Sequence, residues 1–247
     1  MEGKRTVRAA ERALDILLCF TRQPELSLTE IARMTELNKS TVYRLLATLE
    51  EKGFLIRHPE TDKYRLGFRV WELSANLSRA DDPAVLFLPE MERLRDAIEE
   101  TVSLYIRDGY ERIRVQAVES MQTIRRVAPI GVRMPLAVGA SSKVLVAFAD
   151  PAEQATVLGD PSWPESVDRG QYLAQLLEIR KQGYATSFEE RETGTSAIAV
   201  PVFDPGGGIL AALAVSGPVS RLTRVRMKEV IPPILETAAR MRKMLQK

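Results

Sequence analysis

A chain of 247 residues, 45% hydrophobic and 28% charged, is long enough for two domains, and its net charge of +2 is too small for nucleic-acid binding by bulk charge alone. No stretch approaches the roughly 18 uninterrupted apolar residues of a membrane helix, and the N-terminus lacks the apolar segment of a secretory signal, so we expect a cytoplasmic location. One cysteine, Cys19, and one histidine, His58, exclude an intramolecular disulfide and a Cys/His zinc site, and we expect neither metal nor cofactor.

The first predicted element is an amphipathic helix over residues 9–20. It is expected to pack across the two helices that follow, through an apolar face of Ala10, Ala13, Leu14, Leu17 and Leu18. Three basic residues, at positions 4, 5 and 8, precede it. They fit either contact with a nucleic-acid backbone or a solvated terminus.

Residues 27–57 have the pattern of a helix, a tight turn, a second helix and a β-hairpin. Ser27 and Glu30 form a capping box, which is typical of a helix start. Residues 35–37 make the turn, and Asn38 is a suitable N-cap for the second helix. The apolar stripe of that helix is Val42, Leu45, Leu46 and Leu49.

The opposite face of the second helix carries hydrogen-bond donors and cations, with no carboxylate before Glu50. Such a face suits base edges and phosphates, whereas an ordinary solvated face mixes Glu with Lys. The residues predicted to contact DNA here are Lys39, Ser40, Thr41, Tyr43 and Arg44.

Gly53 is expected to end the second helix. The next residues predict a β-hairpin with strands over 54–56 and 63–67 and a turn over 58–62. Together these elements make a winged helix-turn-helix. Basic residues of the wing are predicted to lie near flanking phosphates or the minor groove, namely Arg57, Lys63 and Arg65. His58 is interpreted as a turn residue. The predicted DNA-binding domain therefore spans residues 1–67.

Residues 68–81 are predicted to form a linker, helical over residues 68–79. Its apolar side is expected to contain Val70, Leu73, Ala75 and Leu77, with Trp71 nearby. The Asp81-Asp82-Pro83 sequence breaks the helix and places a domain boundary near residue 80.

Residues 82–247 are predicted to form an α+β domain with one antiparallel sheet flanked by helices. Its first helix covers residues 84–101, with Val85, Leu88, Met91, Leu94 and Ile98 inside. Further helices are predicted over 141–149, 152–158, 171–181 and 224–245, and strands over 102–107, 112–118, 124–127, 185–188, 195–203 and 209–216.

Two separate groups of motifs resemble the IclR family of bacterial transcriptional regulators. The N-terminal group is RAAERALDIL, LTEIARMTELNKSTVYRLLATLEEKGFL and YRLG. The C-terminal group is MPLAVGASSKVLVAF, GYATSFEERETGTSAIAVPVFD and AALAVSGP. The resemblance covers nearly the whole chain and implies a winged helix-turn-helix, a linker helix and a GAF-like effector-binding domain.

The resemblance also implies partners. Family members bind a double-stranded DNA operator as homodimers or dimers of dimers, and act as repressors, activators or both. Their effectors are small organic acids or aromatic compounds from a catabolic pathway.

The resemblance further implies a pocket between the loop before the Ser141 helix and the strands after Gly194. The effector-binding residues carried over are Leu136, Gly139, Ala140, Ser187, Glu190, Thr195, Ala197 and Ser216. Free N–H groups at a helix start beginning near Gly139 suit a carboxylate, but a plain N-cap by Ser141 or Ser142 fits equally well. Ser196 and Ser216 also fit strand positions that face solvent.

Two positions depart from the family pattern. Many members have an acidic residue where this chain has Ser187, and a Cys or Ser where it has Ala197. We interpret the pocket as less polar and less negative than usual. This predicts an effector larger or more apolar than a two- or three-carbon acid, such as an aromatic carboxylate.

Two other classes of function fit the sequence less well. An enzyme would use Glu189, Glu190 or Glu192 as acid or base and Ser141 or Ser216 as nucleophile, but no histidine lies in that domain and no activator is recognisably spaced. A winged helix that binds protein is disfavoured by the acid-free helix face. The expectation is a regulator and not an enzyme.

Overall fold

The computed structural model describes residues 6–75, 82–127 and 129–245. The chain divides into two compact units, Met1–Arg79 and Ala80–Lys247. Across the described ranges, no helix is both long enough and apolar enough to cross a membrane.

Within residues 6–75, the N-terminal unit contains four helices and a two-stranded antiparallel sheet. They are α1 (Arg8–Cys19), α2 (Leu28–Thr35), α3 (Lys39–Glu51), β1 (Leu55–Arg57), β2 (Tyr64–Leu66) and α4 (Phe68–Ala75). Its core joins α1, α2, α3 and the hairpin through Ile16, Ile31, Leu46, Leu55 and Tyr64.

The capping signals read from the sequence are confirmed. The N–H of Ser27 donates to the Glu30 carboxylate at 2.8 Å, and the N–H of Glu30 donates to the Ser27 hydroxyl at 3.3 Å. Glu36 takes a left-handed conformation (φ +57°) and ends α2. The Ser27–Glu30 bonds set where α2 begins, and the left-handed Glu36 sets where it ends. The apolar stripe of α3 determines which side of that helix is buried.

The predicted core face of α1 is partly wrong. Leu14 and Leu18 are 60% and 61% exposed, while Ile16 is fully buried and Cys19 and Phe20 nearly so. The helix has apolar residues on two sides, and α2 and α3 cover only the side with Ile16 and Cys19. Helical spacing alone does not say which of two apolar stripes a neighbour covers.

No residue of α4 is buried within the described part of its unit. Phe68 and Trp71 are 75% and 69% exposed, and Leu73 is 59% exposed. Leu77, predicted on the apolar side of the linker, lies outside the described residues.

The C-terminal unit is built on one six-stranded antiparallel sheet with strand order β5-β4-β3-β8-β7-β6. Its helices are α5 (Pro83–Leu86), α6 (Leu88–Ile98), α7 (Ala140–Ala147), α8 (Pro151–Leu158), α9 (Arg169–Gln182) and α10 (Arg224–Met244). Its strands are β3 (Thr101–Asp108), β4 (Glu111–Val118), β5 (Arg133–Pro135), β6 (Ala185–Phe188), β7 (Thr195–Phe203) and β8 (Ile209–Pro218).

The sheet separates two hydrophobic clusters. Helices α6 and α10 pack on one side, with Met91, Leu213 and Ile234 in the cluster. Helices α7 and α9 contribute to the other, with Val144, Leu176 and Ala212. The α+β class with an antiparallel sheet flanked by helices is therefore confirmed.

Two predicted elements are wrong. The helix over 84–101 is two helices, because Pro89 has no N–H to continue the first and stands in the first turn of α6; Val85, assigned to the inner face, is 55% exposed. Residues 124–127 form no strand, and Ile124 and Val127 are 72% and 62% exposed in a loop. The edge strand that pairs with β4 is β5 instead.

Candidate DNA-binding face and ligand cavity

The start of α3 is held by Asn38. Its side-chain oxygen accepts hydrogen bonds from the Thr41 N–H and the Ser40 hydroxyl, both at 2.9 Å. This confirms the predicted N-cap and satisfies one free donor of the first turn. The hydroxyl of Ser40 is engaged locally in this structure.

The polar side of α3 is open to solvent. Lys39, Ser40, Tyr43 and Arg44 are exposed, Tyr43 to 59%, and Thr41 is half-buried. Within residues 6–75, neither cation of this helix face forms an ion pair. Two free cations and an exposed aromatic ring on one helix face are a suitable surface for phosphates and base edges.

The wing carries its cations in two environments. Arg57 forms an ion pair with Asp62 at 2.9 Å and lies 5.9 Å from the centre of the Tyr64 ring. Lys63 is half-buried and Arg65 is exposed. In the turn, Nδ1 of His58 accepts the N–H of Glu60 at 3.3 Å, which fits its interpretation as a turn residue.

A cavity of about 60 Å³ lies on the α7 side of the large sheet. Seven of the eight predicted effector-binding residues line it: Gly139, Ala140, Ser187, Glu190, Thr195, Ala197 and Ser216. Leu136 does not. It is buried in the apolar cluster of α7 and α9, and its carbonyl accepts the Tyr172 hydroxyl at 2.7 Å.

Gly139 begins α7 in a conformation reserved for glycine (φ +96°, ψ 154°). A Cβ there would lie 3.2 Å from Nη2 of Arg112. Its N–H donates to Glu190 at 2.9 Å, and Lys143 also bonds Glu190 at 2.5 Å. The start of α7 is therefore already occupied by a carboxylate of the protein itself, that of Glu190.

The alternative of a plain serine N-cap is not observed, because no side chain caps α7. The Ser142 hydroxyl donates instead to the carbonyls of Val138 at 2.7 Å and Pro135 at 3.1 Å. Ser196 is fully buried and donates to the Leu222 carbonyl at 2.7 Å, and Ser216 is half-buried beside the cavity.

Sequence reasoning missed the strongest feature of the cavity, its basic lining. The basic residues that were not anticipated are Arg112, Arg114, Arg126 and Arg191, and Tyr105 and Glu192 lie among them. A signal existed in β4, where two arginines alternate with apolar residues at the inward-facing spacing of a strand. The interpretation of a less polar pocket considered only positions 187 and 197, and the arginines make the lining as a whole polar and positively charged.

Burial changes the electrostatics of these side chains. Arg112 and Arg114 are 4% and 3% exposed. Burial lowers the pKa of Arg112 to about 10, and it also lowers the pKa of Arg126 and of Arg191. The cavity thus concentrates positive charge in a poorly hydrated place, which suits an anionic ligand.

A wider groove of about 550 Å³ adjoins the cavity. The two share Arg114, Arg126, Arg191, Glu192 and Thr195. Apolar side chains of the groove include Ile124, Val127 and Val132. Ligand atoms too large for the cavity therefore have an apolar surface beside it.

Comparison with known proteins gives matches over both units. Residues 9–59 match the family model "IclR helix-turn-helix domain", and residues 81–242 match "Bacterial transcriptional regulator IclR C-terminal". The chain is 32% identical over 240 residues to the HTH-type transcriptional regulator KdgR of Escherichia coli (strain K12), covering 95% of this chain and 91% of that protein.

Solved structures share the fold. An IclR transcriptional regulator from Alicyclobacillus acidocaldarius has a TM-score of 0.82 and 26% identity, with 97% of this chain and 99% of that one covered. An IclR homolog from Microbacterium hydrocarbonoxydans, complexed with 4-hydroxybenzoate, has a TM-score of 0.84 and 24% identity, with 96% and 99% covered.

Proposed function

Because the chain belongs to the IclR family of bacterial transcriptional regulators, a non-enzymatic family, we propose that it controls a catabolic operon in response to a small organic or aromatic carboxylic acid. In this proposal residues 1–67 bind DNA, residues 68–81 link the domains, and residues 82–247 bind the effector in the cytoplasm.

The observation that carries the effector assignment is the basic cavity at the start of α7. Its arginines favour a carboxylate, because a guanidinium forms charge-assisted hydrogen bonds with it. A cavity of about 60 Å³ fits a small acid directly. A benzene ring occupies a cavity of about 150 Å³, so an aromatic acid would extend into the adjoining groove. The 4-hydroxybenzoate bound to the Microbacterium homolog is an acid of that size.

On the DNA side, we propose that the exposed side chains of α3 enter the major groove and that the wing cations contact flanking phosphates. Lys39, Ser40, Thr41, Tyr43 and Arg44 contact bases or phosphates in this scheme, and Arg57, Lys63 and Arg65 contact the backbone. A homodimer or a dimer of dimers reads a palindrome. Effector binding shifts the equilibrium between assemblies with different operator affinity.

Fluorescence anisotropy of the full chain with the DNA upstream of its own gene tests the proposal. We expect saturable binding in the nanomolar range that survives excess competitor DNA and weakens as salt is raised. Adding an effector acid should change that affinity. Salt-independent binding, or none above competitor by a folded protein, would contradict operator recognition and favour a winged helix that contacts protein.

A further inference from the structure

Two buried arginines of β4 lie side by side in the cavity without a counter-charge. Arg112 and Arg114 are two residues apart on the strand, so both point to the same face of the sheet. Their guanidinium carbons are 5.5 and 5.2 Å from the centre of the Tyr105 ring. The three side chains form one layer of the cavity wall, here termed the arginine layer.

The hydrogen bonds of the arginine layer go to neutral acceptors. Arg112 donates to the carbonyls of Pro135 at 2.9 Å and Val138 at 2.8 Å, and Arg114 donates to the Pro129 carbonyl at 3.0 Å and to the Tyr105 hydroxyl at 2.9 and 3.1 Å. Nε of Arg112 is buried and has no partner. In the described ranges neither arginine forms an ion pair.

The carboxylates that line the cavity are already engaged. Glu190 binds Lys143 and the Gly139 N–H. Glu192 binds Arg126 and Arg191 together. Among the residues described, four arginines line the cavity against two carboxylates. One of these carboxylates, Glu190, is already paired with Lys143 behind the lining.

The strands opposite supply no further acid. β6, β7 and β8 contribute Ser187, Thr195, Ser196, Ala197, Ala214 and Ser216 to the lining. All of these are neutral and small. Burying a cation without a paired anion has a large free-energy cost. We therefore expect the ligand to supply the negative charge that the protein lacks here.

We infer that the effector carries two anionic groups, as in a dicarboxylate or a phosphorylated carboxylate, with one group bound by Arg112 and Arg114 and the second facing Arg126 and Arg191. The inference rests on the proposed function, since it assigns the ligand class of the same cavity. The Tyr105 hydroxyl, which accepts from Arg114, keeps its own proton to donate to the ligand.

Matched pairs of probes test this inference by calorimetry and thermal shift at constant ionic strength. Each probe with two anionic groups is compared with an analogue that keeps only one of them: glutarate with glutaramate, terephthalate with 4-carbamoylbenzoate, and 3-phosphoglycerate, whose phosphate carries between one and two negative charges, with glycerate. We expect at least one probe with two anionic groups to bind about 10- to 100-fold more tightly than its analogue, because charge-assisted hydrogen bonds are lost with the second group. The pair with the largest affinity ratio shows whether the second anionic group of the effector is a carboxylate or a phosphate.

Two variants assign the effect to the arginine layer. Arg114→Gln should bring the affinity ratio of the pair close to one. Arg133→Gln removes an exposed arginine of β5 that pairs with Asp108 of β3 and Glu111 of β4, and it should leave the ratio unchanged. If Arg114→Gln does not fold, Arg112→Gln and the ionic-strength dependence of the wild-type ratio provide the same test.

The outcomes separate this inference from the proposed function. Equal binding of both probes in every pair, or an unchanged ratio in Arg114→Gln, would overturn the inference and leave a monocarboxylate effector in place. Binding of neither series, with operator binding intact in the anisotropy assay, would overturn both the inference and the carboxylic-acid effector.

Discussion

Gly139 shows how one backbone position controls both the fold and the cavity. Only glycine tolerates its φ and ψ at low cost, and its lack of a side chain leaves room for Arg112 against the start of α7. Its N–H at the same time fixes Glu190. Steric, conformational and electrostatic requirements therefore meet at a single residue.

Gly139→Ala should destabilise the protein by about 1–3 kcal/mol, through backbone strain and the close approach to Arg112, and should weaken any ligand response. Urea unfolding and ligand-induced thermal shift measure the two effects. Gly109→Ala is the control, because Gly109 also has a positive φ (+59°) but open space around it. Equal losses in both variants, with ligand response retained, would contradict the role of the cavity contact.

Arg44 is the residue on α3 for which we expect the largest contribution to operator affinity. If its guanidinium makes a bidentate base contact, Arg44→Ala should cost about 1–3 kcal/mol of binding and relax specificity at one base pair. Anisotropy with the operator and single-base variants measures both. Lys52→Ala, which removes a positive charge at the far end of the same helix, should have a smaller effect, and unchanged affinity in Arg44→Ala would exclude the contact.

At the scale of an element, the two faces of α3 have different roles. Val42, Leu46 and Leu49 attach it to the core, and the opposite face, which we propose contacts DNA, is exposed to solvent. The Asn38 cap serves both faces, because it stabilises the start of the helix, from which the polar residues project.

Substitutions at Asn38 should separate stability from DNA affinity. Asn38→Ala removes the cap and should cost about 1 kcal/mol of unfolding free energy. Asn38→Asp keeps a capping oxygen and should keep stability, but it places a negative charge beside the residues proposed to contact DNA and should weaken operator binding. Parallel unfolding and anisotropy measurements test this; an affinity that follows stability in both variants would contradict it.

The capping box of α2 should make folding stability depend on pH. Hydrogen bonds from Ser27 hold the pKa of Glu30 below its ordinary value. The stabilisation is therefore present above the pKa of unfolded glutamate and is lost as the pH falls through the folded value. Glu30→Gln should be less stable than wild type at pH 7, and the difference should narrow near pH 3 in urea unfolding. A constant difference would show that the charge of Glu30 is not involved.

At the scale of the whole molecule, the chain consists of two units with separate cores. A ligand in one unit can change DNA binding in the other only if it alters the equilibrium between states of different affinity. In the proposed mechanism those states are arrangements of the dimer, which set the distance between two recognition helices.

If the protein binds its operator as a dimer, operator affinity should depend on the spacing between the two half-sites. Inserting about half a helical turn between the half-sites, roughly 5 base pairs, should rotate one half-site away and reduce affinity at least about tenfold, whereas roughly 10 base pairs should restore much of it. Gel-shift titration with the three operators measures this. Affinity that does not depend on spacing would indicate that each recognition helix binds independently.

The sequence by itself determined the features that depend on neighbouring residues. The caps at Ser27 and Asn38, the winged helix-turn-helix and the α+β class were readable because capping, helix periodicity and strand alternation act over a few positions. The family motifs also placed Gly139 and Glu190 correctly beside one cavity.

Only the tertiary structure decided which of two apolar faces of α1 is buried, where the edge strand of the sheet lies, and how positive the cavity is. Arg114, Arg126 and Arg191 come from a strand and two separate loops, and no local pattern links them. Their convergence is a property of the folded sheet, because long-range packing brings distant segments together and places their positive charges around one cavity.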